Sequence, residues 1–218
     1  MITMKNFKII FPSGEKNRGE AVILVHGLFE RGFWMYPMAR FLSRQGYTVC
    51  VYTYRTTRAR LAEHVKLFAR ELQELINELP DRKLHFAGHS MGGLMIRGVL
   101  QFVEIPAERR GMIFFMGVPH KGSPTANKVR KLLFFADRLV KVLPDLDSDP
   151  PADSLQLPEV PPMKFISIIA RRDEVVPPRS SCMPGAFAKA LINTGHMHLI
   201  FHKKVFQELQ KNLTGNAL

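Results

Sequence analysis

Ser90 stands between two glycines in Gly88-His89-Ser90-Met91-Gly92, after a strand-like run at residues 83–87 and before a helical pattern. A sharp strand-to-helix turn at this place would hold Ser90 in strained backbone and lift its hydroxyl above a sheet, the flanking glycines leaving room for neighbouring elements. The chemistry such a serine can do is nucleophilic attack on an acyl carbon, with the Met91 N–H, at a helix start, receiving the oxyanion. As a bare pattern the five residues also describe a serine in any glycine-rich turn. The wider chain has to decide.

A serine hydroxyl needs a histidine base, and that base a carboxylate to orient it. Of eight histidines, His196 in Asn193-Thr194-Gly195-His196-Met197-His198 follows the last short strand and opens a loop before the terminal helix. His198, two residues on, is the alternative base. His89 is expected to point away from the nucleophile, His85 lies within a strand, and His26, His64, His120 and His202 read as structural or solvated. For the acid, Asp173 lies three residues past the strand at 163–170, with Val175-Val176-Pro177 to anchor its loop; Glu174 beside it could do the same chemistry. The plainer alternative pairs Asp173 with Arg171 or Arg172 at the surface. The loop His120-Lys121-Gly122-Ser123-Pro124 offers no carboxylate. A second oxyanion donor is expected from the glycine turn Val25-His26-Gly27-Leu28-Phe29, through the Leu28 N–H. The order Ser, Asp, His is the one a G-x-S-x-G elbow requires.

These addresses presuppose strands that end together. Apolar runs at 21–26, 48–54, 83–88, 110–118, 163–170 and 190–194 read as strands, and residues 5–11 as an extra edge strand. Leu61, Val65, Phe68, Leu72, Leu75, Ile76 and Leu79 recur at helical spacing up to Pro80, and helices are also predicted at 36–44, 91–102 and 203–213. Alternation of this kind predicts an α/β fold, a mostly parallel sheet of about six to seven strands with helices on both faces. Residues 121–162 interrupt the rhythm. They carry a basic amphipathic helix, Val129, Leu132, Phe135, Ala136, Leu139 and Leu143 on one face between about Lys128 and Lys141, and then an acidic Pro-rich stretch. This segment reads as a crossover packing its stripe on the sheet, or as a cap over the site.

The chain has 218 residues with 46% apolar content, which suits a single domain over residues 1–218. No secretory signal or bilayer-spanning run is read from it, and two cysteines do not make a disulfide framework, so a cytoplasmic protein is expected. A net charge of +12 favours anionic partners, including a transient anionic membrane surface. No zinc-ligand spacing, RNA-binding signature or DNA-reading helix accompanies the charge, and no nucleic-acid partner is expected.

From residue 21 onward the sequence resembles the α/β-hydrolase superfamily, especially compact bacterial lipases and esterases. The resemblance rests on Val25-His26-Gly27-Leu28, Gly88-His89-Ser90-Met91-Gly92-Gly93, Gly117-Val118-Pro119-His120-Lys121-Gly122-Ser123, Asp173-Glu174-Val175-Val176-Pro177 and Gly195-His196, in family order. It implies acyl transfer to water from a small-molecule acyl ester, by Ser90, His196 and Asp173 with the Leu28 and Met91 amides, and no metal or organic cofactor. A thioester substrate or a non-water acceptor would use the same triad, and a non-catalytic binding or peripheral membrane protein could use the same fold. Leu28, Phe29, Phe33 and Trp34 near the oxyanion loop favour an apolar acyl group. Oligomeric state is not legible.

Overall fold

The computed structural model describes residues 5–13, 16–132, 136–148, 157 and 162–215. Its seven strands are Phe7–Ile10 (β1), Glu20–Val25 (β2), Thr48–Tyr52 (β3), Lys83–His89 (β4), Arg110–Met116 (β5), Lys164–Ala170 (β6) and Ala188–Ile192 (β7). They form one sheet in the order β1-β3-β2-β4-β5-β6-β7. Only β1 runs antiparallel to its neighbour, Phe7 opposite Tyr52 and Ile10 opposite Val49. Residues 5–11 thus contain the extra edge strand, and the last strand begins two residues earlier than the sequence suggests.

The central strands are apolar throughout because helices cover both faces. Along β2, Ala21, Ile23 and Val25 enter one core with Leu61–Glu78 (α2) and Met91–Val99 (α3), while Val22 and Leu24 enter the other with Tyr36–Arg44 (α1) and Lys203–Leu213 (α7). Each such side chain, fully buried, contributes roughly 1.5–3 kcal/mol. The predicted stripe of α2 is buried as expected, and α1 and α7 span their predicted residues. Helix α3 is shorter than predicted because its end tightens: Gln101 N–H reaches Gly98 O and Phe102 N–H reaches Val99 O.

From β2 the chain steps outward to β3 and then returns to the other side of β2 as β4. This reversal of strand order is a topological switch point, where loops leaving the carboxyl ends of neighbouring strands diverge and open a crevice. Gly27 and Ser90 leave β2 and β4 at that place.

The segment after β5 departs from expectation. Helical residues are Pro124–Leu132 (α4) and Ala136–Leu139 (α5), so helix ends before the predicted Lys141, and a 3-10 turn follows at Leu143–Leu146. Phe135 and most of the Pro-rich stretch lie outside the described residues. Leu132 is 82% exposed and Leu139 67%, so these two members of the stripe stay off the sheet, whereas Leu143, with Val142 and Leu146, enters the core. Three contacts account for the change of course. Lys141 N–H donates to Thr57 O at 3.0 Å, and the buried Asp145 carboxylate accepts the Leu61 N–H at 2.7 Å and the Arg60 guanidinium. A short helix Pro178–Ser181 (α6) lies in the loop between β6 and β7. Among the described residues no helix is long and apolar enough to cross a membrane. Cys50, whose thiol burial pushes up to about 12, and Cys182 are both free.

Candidate active site

Ser90 has φ 50° and ψ −125°, a region that non-glycine residues enter only under constraint, at a cost of about 1–3 kcal/mol. The constraint is visible. Ser90 N–H donates to Met116 O at 2.9 Å, prolonging the β4–β5 ladder by one residue, and its carbonyl accepts from Gly93 N–H at 3.0 Å. A Cβ on Gly92 would stand 2.3 Å from Val25 O, and one on Gly88 2.6 Å from the Gly93 backbone. Only glycine lets α3 start this close to the end of β2. Met91 is the first residue of α3, where backbone N–H groups have no intrahelical acceptor and the helix dipole is positive.

The loop after β2 lies against the serine, since a Cβ on Gly27 would sit 2.9 Å from Ser90 Cβ. Three of its amides are engaged: Gly27 N–H with Glu30 Oε2 (2.8 Å), Phe29 N–H with Thr56 Oγ1 (3.2 Å), Glu30 N–H with Gly27 O (3.3 Å). Leu28 N–H, between the first two of these, meets no internal acceptor among the described residues. Phe29, at φ 63°, makes the turn that separates these donors.

His196 and Asp173 are in contact. The Asp173 side chain is fully buried, and its Oδ2 lies 2.8 Å from His196 Nδ1, while Oδ1 accepts the N–H groups of Val175 (3.0 Å) and Val176 (2.6 Å). A carboxylate can only accept, so the proton is on Nδ1 and Nε2 keeps its lone pair. Burial pushes the His196 imidazole down, the Asp173 bond pulls it up and neighbouring His89 lowers it again; the outcome lies below the ordinary histidine value. A Cβ on Gly117, just past β5, would be 3.2 Å from His196 Cε1, which places the ring over the carboxyl end of that strand.

The alternatives separate cleanly. His198 is exposed, and Glu174 accepts the His196 backbone N–H at 3.3 Å while Asp173 takes the ring. Asp173 is therefore no surface partner of Arg171 or Arg172. His26 is buried and stacked on Tyr54, donating through Nδ1 to Gly27 O and accepting Tyr54 N–H at Nε2. His120 is buried against Phe115, and desolvation together with Arg97 takes its pKa down to about 3, leaving it neutral. The segment from Pro119 to Thr125 braces the loop that carries Asp173: Ser123 Oγ donates to Val175 O at 2.7 Å, and Thr125 Oγ1 to Glu174 O at 3.2 Å.

His89 does point away from the serine hydroxyl, but not into idle packing. Its Nδ1 meets Glu30 Oε1 at 2.5 Å and its Nε2 meets His196 O at 3.1 Å, with the two imidazole rings 4.7 Å apart. Glu30 is a residue the sequence reading passed over. It is the one carboxylate between Glu20 and Glu63, and its isolation among apolar and basic neighbours was the available signal.

The sequence profile of the Alpha/beta hydrolase family matches residues 22–126, a span holding the loop after β2 and the turn at Ser90. A lipase of Bacillus licheniformis in mature form superposes with a TM-score of 0.70 at 16% identity, covering 95% of this chain and 97% of that one. An esterase of Exiguobacterium antarcticum gives 0.69 at 14% identity, over 95% and 94% of the two chains. This is an α/β-hydrolase-fold protein. A further α/β hydrolase of that fold, from a sediment metagenome of the Mar Chica lagoon in Morocco, gives 0.68 at 17% identity over 100% and 99%. No curated protein sequence matches the chain. Ser90 follows β4, Asp173 follows β6 and His196 follows β7, in the chain order Ser, Asp, His that goes with a G-x-S-x-G turn in this fold.

Proposed function

We propose that the protein is a serine hydrolase of carboxylic esters, working through an acyl-enzyme on Ser90. The observation that carries the reading is the 2.8 Å contact between the buried Asp173 and His196, two residues whose strand-end addresses match the strained serine at the elbow. Ser90 Oγ attacks the ester carbonyl and gives its proton to His196 Nε2; the Leu28 and Met91 amides receive the oxyanion. Collapse of the tetrahedral adduct breaks the carbon–oxygen bond to the alcohol, which leaves with the proton from His196. Water, deprotonated by His196, then attacks the acyl-enzyme, and Ser90 regains its proton as the acid departs. Asp173 remains ionised throughout and stabilises the imidazolium.

An apolar acyl group is supported by Phe29 and Phe33, both exposed near Leu28, and by the esterase and lipase names of the compared structures. The same exposed rings, with the +12 charge, support transient contact with an anionic lipid surface. Residues 121–162 are proposed as a cap, on the observation that Leu132 and Leu139 stay exposed.

The test is labelling with a fluorophosphonate probe and hydrolysis of p-nitrophenyl esters of graded acyl length, on wild type and Ser90→Ala. Labelling and turnover are expected in wild type and loss of both in the variant, turnover by about 10⁴-fold or more. Absence of labelling and of turnover at every acyl length would sink the proposal, and a thioester preferred by several orders would change the substrate class.

A further inference from the structure

His89 and Glu30 lie outside the proposed triad, yet both are buried, His89 completely. A backbone carbonyl only accepts hydrogen bonds, so the proton facing His196 O is on His89 Nε2. The other ring nitrogen faces a carboxylate oxygen, and the second oxygen of that carboxylate holds the Gly27 N–H. Desolvation alone would lower the imidazolium and raise the carboxyl; their mutual attraction outweighs it, so His89 is raised and Glu30 lowered. Both directions favour the arrangement the contacts allow, a carboxylate on Glu30 and a proton on each ring nitrogen of His89.

We infer that Glu30 and His89 are a positioning pair for hydrolysis, joining the oxyanion loop at Gly27 to the backbone carbonyl of His196 across the strand that carries Ser90. The inference rests on the reading of Ser90, Asp173 and His196 as a triad. Three elements meet in the pair: the loop after β2 supplies Glu30 and Gly27, the end of β4 supplies His89, and the loop after β7 supplies His196. His196 is thereby held at its N–H by Glu174, at its ring by Asp173 and at its carbonyl by His89. An apolar pair of similar volume would hold a fold as well or better, because burying two ions costs several kcal/mol each. What the ion pair adds is orientation. A displacement of about 1 Å in such a site costs roughly 10²-fold in rate.

The pair also sets charge beside the base. Facing His196 are Asp173 and Glu174 from the loop after β6, Glu30 from the loop after β2 and His89 from β4, with His198 and Arg172 in solvent nearby. Of the Glu30–His89 couple, the imidazolium is the nearer and lowers His196.

Two variants separate orientation from charge. Glu30→Met with His89→Leu removes both partners, leaves no unpaired ion and deletes the donor to His196 O; kcat should fall about 10- to 100-fold with KM within about 3-fold of wild type. Glu30→Gln can still accept from Gly27 and donate to a neutral His89, whose Nε2–H stays on His196 O. It should lose much less kcat than the double variant, while the acid limb of kcat/KM moves up by about half a pH unit or more as the neighbouring positive charge disappears. A folded double variant with kcat within about 3-fold of wild type, or Glu30→Gln with an unmoved acid limb, overturns the inference; if the double variant fails to fold, the Glu30→Gln profile decides. Imidazole ¹⁵N spectra of wild type give a readout apart from turnover: one histidine, missing from the double variant or from His89→Gln, should keep protons on both nitrogens to higher pH than an ordinary imidazole. Its absence overturns the pair even in an active enzyme. Wild type inert to probe and esters instead overturns the triad reading and the pair's catalytic purpose, and the doubly protonated signal tells that failure from this one.

Discussion

At the scale of the residue, the properties that matter are protonation states, and the His196 surroundings set one with a consequence in pH. Burial first, then His89, lower the imidazole against the pull of Asp173, so the free base persists to more acid pH than an ordinary histidine allows. In the proposed mechanism only the neutral ring accepts the Ser90 proton, and kcat/KM falls as pH drops through the His196 pKa. The acid limb is therefore expected below about 6.5, the ordinary value, and a pH profile on a p-nitrophenyl ester with its midpoint at 7 or above would contradict it. Asp173→Asn should keep the fold, turn the imidazole into the wrong tautomer and lower kcat by roughly 10³- to 10⁴-fold; a loss below tenfold, measured on the same ester, would return the acid role to Glu174. The strand-end positions of Ser90, Asp173 and His196 are legible in the sequence because each is announced locally, by a motif or by distance past a strand end. The Glu30–His89 contact is not, because it joins positions 59 apart through side chains that no periodicity relates.

Elements follow the same division between local and distant causes. The stripe of α2 is readable since every third or fourth residue meets the same core, and Pro80 marks its end. The region of α4 and α5 misleads because its apolar spacing continues past the point where tertiary bonds take over the chain. Asp145 is the clearest of these bonds: 1% exposed, it accepts the first backbone N–H of α2 and pairs with Arg60, whose side chain is half exposed. It also puts negative charge at the positive end of that helix. Asp145→Ala leaves the Leu61 amide without its acceptor, at a cost of about 1–3 kcal/mol. Since Arg60 can return to water, the penalty should sit in the helix end alone. Chemical denaturation should show a lower midpoint at unchanged slope, and a variant as stable as wild type would mean that the turn at Leu143–Leu146 docks by its apolar residues alone.

For the whole molecule, charge and apolar exposure have to be weighed together. Thirty-one Lys and Arg against nineteen Asp and Glu make the chain strongly basic. That surplus acts over about 10 Å at 0.1 M salt. Exposed Phe29, Phe33 and Phe201 come from the segments that follow β2 and β7, which also carry Leu28 and His196, and Trp34 links two of them at 6.4 Å and 6.5 Å between ring centroids. Charge would bring the protein to an anionic surface, and the rings would give it apolar contact beside the proposed site. Co-sedimentation with vesicles containing anionic phospholipid is expected at low ionic strength and should weaken steeply as salt rises, whereas neutral vesicles should retain little protein. Replacing Phe29, Phe33 and Phe201 together by serine should reduce the salt-resistant fraction while leaving the initial electrostatic attraction in place. Failure to bind anionic vesicles at low salt would remove the lipid surface from the proposal and leave the positive charge as a solvated exterior. Binding that the triple variant does not alter would place the contact elsewhere on the molecule, away from the crevice between β2 and β4.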